Sequence, residues 1–155
     1  MSFMSHNYNP DKHTIFTPVN KEKYIGKELP VSRSSWERAF MQWADMNPSI
    51  LNWSSEALAI PYYDNVKRKN RRYYPDFTIR VKDVDGQEST WVIEIKPYKE
   101  TIPPIRGKKK ERTYMYEALT FQTNVAKWQA AEQFCKKYNV KFKLLTEKDL
   151  FNKGK

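Results

Sequence analysis

The chain has 155 residues, 28 of them basic against 18 acidic, for a net charge of +10 and a pI near 9.6. That length bounds it to one domain with a real core, supported by 39% hydrophobic and 15% aromatic residues. Its positive excess points to a polyanionic partner, nucleic acid being the commonest. No apolar run could span a bilayer, no basic amphipathic helix suggests a membrane surface, and Met1-Ser-Phe-Met-Ser lacks the apolar core of a leader. The single Cys135 excludes an internal disulfide and a thiolate metal cage, and fits a reducing cytosol. His6 and His13 both lie in the polar N-terminal region, which speaks against a histidine zinc site or a Ser-His pair.

Residues 1–30 are polar and aperiodic. They read either as an arm that wraps the domain or docks on a partner, or as a segment disordered in isolation. The domain proper is expected over residues 31–155. On the arm reading, removal of Met1 to Lys21 should leave catalysis near normal and damage partner docking.

The first helix is expected from Ser34 or Ser35, either of which can act as N-cap, to Met46, where Asn47-Pro48 stops it. Trp36, Phe40, Trp43 and Ala44 form its apolar stripe, with Glu37 beside it. Ile50 to Trp53 reads as a short strand or turn, and Ala57 to Tyr63 as a strand with Leu58, Ile60 and Tyr62 on one face. Lys67 to Arg72 is a basic loop in this reading. Tyr73 to Val81 follows as a strand, then an Asp85-Gly86 hairpin turn. Ser89 to Lys96 carries apolar residues on both faces, the mark of a central strand, and Pro97 ends its pairing. A loop with a second basic run reaches Arg112. The long helix over Tyr114 to Tyr138 shows a stripe of Ala118, Phe121, Val125, Trp128, Ala131 and Cys135. A last strand over Lys141 to Thr146 and a terminal turn or helix complete the order helix, three strands, helix, strand, an α/β layer fold with a mixed sheet. Trp36, Trp43, Trp91 and Trp128 are expected in the core.

Two strand segments carry the chemistry. Tyr-Tyr-Pro-Asp-Phe-Thr-Ile ends at Ile79 and holds Asp76; Trp-Val-Ile-Glu-Ile-Lys-Pro ends at Pro97 and holds Glu94 and Lys96. Positions i and i+2 of a strand share a face, so Glu94 and Lys96 project together. Two carboxylates brought together bind a hard divalent cation, and a lysine beside it can position water. This is equipment for metal-assisted phosphodiester hydrolysis. The bland alternatives are a turn-capping Asp76 and a surface ion pair of Glu94 with Lys96. Against the second, Glu94 sits amid Trp91, Val92, Ile93 and Ile95, where an uncompensated carboxylate is costly. Glu37 is either a further ligand or a solvated first-turn acid.

Pro75-Asp76 followed by Glu94-Ile95-Lys96 resembles the PD-(D/E)XK nuclease superfamily, whose restriction-endonuclease-like αβββαβ core has a mixed central sheet flanked by helices. Ser35-Trp36-Glu37-Arg38, Asn47-Pro48, Trp53-Ser-Ser-Glu56, Arg71-Arg-Tyr-Tyr-Pro-Asp-Phe77 and Thr146-Glu147 look like its TnsA-type branch, including nucleases of T4-like tailed phages. The resemblance implies that Asp76, Glu94, the Ile95 carbonyl and Glu37 hold Mg²⁺ or Mn²⁺, and that Lys96 attends the attacking water. It places Glu56 at an acidic position of the branch and lets Lys127 face the site from the second helix. The catalytic set it implies is Glu37, Asp76, Glu94 and Lys96. Lys67, Arg68, Lys69, Arg71 and Arg72, with Arg106, Lys108, Lys109, Lys110 and Arg112, flank this set and read as contacts to DNA phosphates, with Tyr73, Tyr74 and Tyr98 either stacking on bases or packing in the core or rim. No base-reading helix is evident, so little sequence specificity is expected.

The implied function is a deoxyribonuclease on double-stranded DNA that acts in phage head maturation and head-tail joining. Phage head-neck or portal proteins are its partners, and the host cytoplasm or the virion its place. The alternatives are a structure-specific or transposon-type endonuclease and a non-catalytic DNA-binding assembly factor.

Overall fold

The computed structural model describes residues 14–151. Chain order builds a mixed α/β fold. A two-residue strand β1 (Thr14–Ile15) pairs with β2 (Val31–Ser32), antiparallel. Helix α1 (Ser35–Met46) begins at Ser34, whose hydroxyl accepts the Glu37 N–H at 3.1 Å, while the Glu37 carboxylate accepts the Arg33 N–H at 3.0 Å. These are the two reciprocal bonds of a capping box, shifted by one residue on the return arm.

Four strands form the main sheet: β3 (Ile50–Ser55), β6 (Phe77–Lys82), β7 (Glu88–Ile95) and β8 (Lys141–Leu145), in that spatial order. The first three are antiparallel neighbours, and β8 joins β7 in parallel. That parallel pairing requires a crossover, supplied by helix α2 (Glu111–Lys137). A short helix, α3 (Glu147–Phe151), closes the described chain.

The edge strand of the sheet is Ile50–Ser55, not the expected Ala57 to Tyr63 segment. That segment supplies β4 (Ile60–Asp64), which pairs with β5 (Lys69–Tyr73) in a separate hairpin. Lys69, Arg71 and Arg72 therefore lie on a strand, where a loop was expected. The buried Asp64 carboxylate holds the turn by accepting the N–H groups of Val66 and Lys67 at 2.9 and 3.1 Å. It binds its own backbone two and three residues on, which lets a turn form without Gly-rich sequence. Similarly, α2 starts at Glu111, so Arg112 is helical rather than in the loop.

Two apolar cores lie on opposite faces of the sheet. On one, Phe40, Met41 and Ala44 of α1 pack against Ile50, Trp53, Phe77, Ile79, Ile93 and Ile95. On the other, α2 presses Trp128 and Ala131 onto Ile60, Tyr62 and Tyr73 of the hairpin. Of the tryptophans expected inside, Trp128 is 9% exposed, Trp36 and Trp91 are half-buried, and Trp43 is 48% exposed. Trp53, whose burial was not anticipated, is fully buried.

Residues 14–30 run along the domain. Phe16 joins the α1-side core, and Arg38 stacks over its ring at 5.4 Å. Buried Asp45 accepts the backbone N–H groups of Val19 and Asn20 at 2.8 and 3.0 Å. Lys23 donates to the Asp45 and Asn47 carbonyls at the end of α1, where a cation also meets the negative pole of the helix. Removal of Met1 to Lys21 would take away Phe16 and the Val19 and Asn20 bonds to Asp45 and leave the Lys23 contacts in place. The arm's first thirteen residues lie outside those described, as do residues 152–155. No helix among the described residues is long and apolar enough to cross a membrane.

Candidate active site

In the β6–β7 pairing Phe77 stands opposite Ile93, and one further step in that register sets Asp76 opposite Glu94. Ile93 and Ile95 point into the α1-side core, so alternation turns Val92, Glu94 and Lys96 toward α2. Asp76 is held in three ways. Fully buried Pro75 fixes the chain before it. The Glu56 N–H donates to its carbonyl at 3.0 Å. Its own Oδ2 accepts the Ile95 N–H at 2.8 Å. Since the N–H and C=O of one strand residue point to the same side, the Ile95 carbonyl faces the Asp76 side too.

Glu94 is 6% exposed, and its Oε1 has no hydrogen-bond partner. Lys96 Nζ stands 3.9 Å from the other oxygen, a loose ion pair with the ammonium partly in solvent. The Tyr73 hydroxyl is buried beside the same carboxylate without closing a well-aligned hydrogen bond. Burial raises the Glu94 pKa, opposed by Lys96, the Tyr73 hydroxyl, the Asp76 N–H and Lys127 in that order. Asp76 is pushed well above the usual carboxylate range by burial, then by the charges of Glu94 and Glu37, against the Ile95 N–H and Lys96. Burial followed by the Glu94 charge drives the Tyr73 hydroxyl upward. Lys127 is lowered, first by burial and then by Lys96, with Glu94 pulling the other way.

These mutual effects map a cluster: Asp76, Glu94 and Lys96 at the centre, Glu37 within reach of Asp76, Lys127 above Glu94 from α2, and Tyr73 beneath. Among the described residues no three of His, Cys, Asp and Glu lie close enough to hold a metal ion together, so Glu37 does not complete a carboxylate triad with Asp76 and Glu94 in this arrangement. Glu56 forms an ion pair with Arg33 and adopts φ +50° where the chain leaves β3; its contact to Asp76 is through its backbone.

Lys67 and Arg68 occupy the β4–β5 turn, with Arg68 at φ +53°. Arg71 lies on the β5 face that Tyr62 shares, 3.7 Å from Asp64. Arg106, Lys108, Lys109 and Lys110 follow the Lys96 strand in a loop, where Lys109 pairs with Glu117 at 2.6 Å. Tyr74 and Tyr98 are exposed, and Lys148 sits 3.5 Å over the Tyr98 ring. Tyr73, by contrast, is 4% exposed. Sequence reading offered it only as a stacking or packing aromatic; the signal for its polar role was its place three residues before Asp76, on the chain that leads into the site.

The class of protein indicated by known relatives is a DNA nuclease. The family described as "TnsA-like endonuclease N terminal" matches residues 47–147, a stretch containing Asp76, Glu94, Lys96 and Lys127 and beginning after α1. The chain is also 41% identical over 140 residues to the "Head completion nuclease" of Enterobacteria phage T4, an alignment covering 87% of this chain and 91% of that protein. The chain belongs to the TnsA-like endonuclease family.

Proposed function

We propose that this protein is a divalent-metal-dependent deoxyribonuclease of little sequence specificity, with α1, β3, β6, β7, α2 and β8 serving as its PD-(D/E)XK core. The observation that carries this reading is the facing pair of half-buried Asp76 and buried Glu94, with partly exposed Lys96 on the same side of adjacent strands. Two carboxylates raised by burial, Asp76 also by the Glu94 charge, and one with an orphaned buried oxygen, are an unfavourable arrangement that a cation relieves.

Asp76, Glu94 and the Ile95 carbonyl would hold that cation, with Glu37 acting through solvent. The hard oxygen donors and the small number of carboxylates suit Mg²⁺ or Mn²⁺, which keep several waters. Such an ion supplies Lewis acidity at a phosphoryl oxygen and acidifies bound water. The residues do the rest. Lys96, partly in solvent, orients the attacking water and donates to the phosphoryl oxygens as negative charge accumulates on them. The Ile95 N–H holds the Asp76 carboxylate in place, and the buried Tyr73 hydroxyl lies beside the buried Glu94 carboxylate. The phage relative's name supports a role in finishing filled heads.

The test is cleavage of linear and supercoiled duplex DNA in Mg²⁺, Mn²⁺ or EDTA by wild type and Glu94→Ala. Metal-dependent cutting that disappears in the variant is expected. Folded wild type that binds DNA yet cuts it with neither ion would overturn the proposal in favour of a DNA-binding assembly factor.

A further inference from the structure

The β4–β5 hairpin stands outside the main sheet, and its inner face carries an assembly that the two-carboxylate site does not use. Ile60 opposes Tyr73 and Tyr62 opposes Arg71, so these four share one face. Tyr62 and Tyr73 are 7% and 4% exposed. Lys127 of α2 lies over both rings, its ammonium 6.0 and 5.8 Å from their centroids. A cation over a tyrosine face is held in direction without being neutralised. No carboxylate oxygen of the described residues lies within 4 Å of this half-buried ammonium, although Glu94 is near enough to influence it. Arg71 shares the hairpin face of Tyr62, and the positive charges of Lys96 and Arg71 both act on Lys127. Arg71 stands 3.7 Å from Asp64 Oδ2, a loose ion pair, while the turn N–H groups are both taken by Oδ1.

Three cations drawn together, one of them half-buried and lacking a close counter-ion, form an arrangement that costs free energy until an anion enters. One turn before Lys127 on α2, Asn124 is buried and lines a separate cavity of about 630 Å³ beneath the Lys99–Lys109 loop.

We propose that Lys127 and Arg71, presented by α2 and the hairpin on a platform of Tyr62 and Tyr73, form a subsite for a backbone phosphate next to the one that is cut. This rests on the nuclease reading for its substrate but makes its own claim about binding. Lys127 reaches over Glu94 and grips the neighbouring phosphate, fixing the strand so that the scissile phosphorus meets Asp76, Glu94 and Lys96. Tyr62 and Tyr73 are positioning residues, acting through Lys127.

The test is equilibrium binding of a fluorescent duplex by the full chain in EDTA across a salt series, with cleavage kinetics in Mg²⁺ alongside. Wild type, Lys127→Met, Lys127→Gln as a second neutral form, Lys127→Arg, Arg71→Met and Glu94→Gln are compared, the Lys127 and Arg71 variants each checked for an unchanged melting profile. Lys127→Met should weaken binding about tenfold at low salt, as expected for a lost hydrogen bond between charged groups. Its log–log salt slope should fall by about one, the signature of one phosphate contact. KM should rise more than kcat falls, and Lys127→Arg should recover much of the loss. Unchanged affinity and slope in both Lys127→Met and Lys127→Gln would overturn the subsite, as would a kcat defect without any binding defect. Glu94→Gln separates the two claims. If wild type never cuts DNA while the Lys127 variants still lose one unit of slope, the nuclease reading fails and the subsite stands. If Glu94→Gln alone abolishes cutting and the Lys127 variants behave as wild type, the reverse holds.

Discussion

Burial outweighs the loose Lys96 ion pair and the other groups that favour a charged Glu94, and this has a measurable sign. Its folded-state pKa is raised, chiefly by burial, as is that of Asp76. A carboxyl whose folded pKa exceeds its unfolded value contributes stability that is fully present below the unfolded value and is lost as pH rises through the folded one. In EDTA, therefore, wild type should lose stability from about pH 4 toward neutrality. Glu94→Gln removes the charge at constant shape, so its melting temperature should exceed that of wild type at neutral pH and match it near pH 4. Added Mg²⁺ should raise the melting temperature of wild type and leave the variant unmoved, as mass action requires of a ligand that binds only the folded state through that carboxylate. A Glu94→Gln protein less stable than wild type at neutral pH in EDTA would contradict this account. Lys96 belongs to the same scale but acts on rate: Lys96→Met should reduce kcat by about 10²–10⁴, the range for a positioned proton-handling group, with little change in DNA affinity. These residues were legible before any fold was known, because a carboxylate inside an apolar strand signals its own cost. Lys127 and Tyr73 were less so, since their meaning depends on which strand lies under which helix.

At the scale of elements, legibility followed local chemistry. Helix α1 announced itself through Ser34 at its start and Asn47-Pro48 at its end, and β7 through apolar residues on both faces. The β4–β5 hairpin hid because its second strand, Lys69–Tyr73, is basic and its turn is built by Asp64 rather than by Asn-Gly. A strand that is solvated on one face and backed by tyrosines on the other does not look like a strand by composition. Residues 14–30 hid for a related reason: they are tied down by two aromatics, Phe16 and Tyr24, and otherwise by polar side chains such as Lys23 and by backbone groups, which leave no periodic pattern. Those ties can be weighed. Phe16 is 5% exposed and packs on Trp53 with ring centroids 6.0 Å apart, so Phe16→Ala should destabilise the fold by about 3–5 kcal/mol. Asp45→Ala would remove two part-buried hydrogen bonds from the Val19 and Asn20 N–H groups, at about 0.5–1.5 kcal/mol each. Chemical denaturation of each variant gives the values directly. Changes below about 0.5 kcal/mol for both, the range of ordinary surface substitutions, would mean that this segment merely lies on the domain.

At the scale of the whole molecule, the +10 charge becomes a matter of placement. One basic group, on the hairpin, flanks the carboxylates; the other, from Arg106 to Arg112, follows from Lys96 through the loop that roofs the Asn124 cavity. Within that second group Lys109 is already engaged by Glu117, whereas Lys108, Lys110 and Arg112 are exposed and take part in no ion pair within 4 Å among the described residues. Charges of that kind steer and hold a phosphate backbone without reading bases, and each contact releases condensed counter-ions. Converting Lys108, Lys110 and Arg112 together to glutamine should therefore lower the log–log salt slope of duplex binding by about two to three and weaken binding equally for unrelated sequences. Lys109→Gln should change it less, because an ammonium already neutralised by Glu117 displaces fewer counter-ions from the DNA. Since none of the three lies at Asp76 or Glu94, kcat at saturating DNA should stay within about twofold of wild type, the loss falling on KM as it does for uniform binding interactions. A triple variant with an unaltered slope would show that DNA approaches over the hairpin alone, and that the charge of the loop serves solubility rather than the substrate.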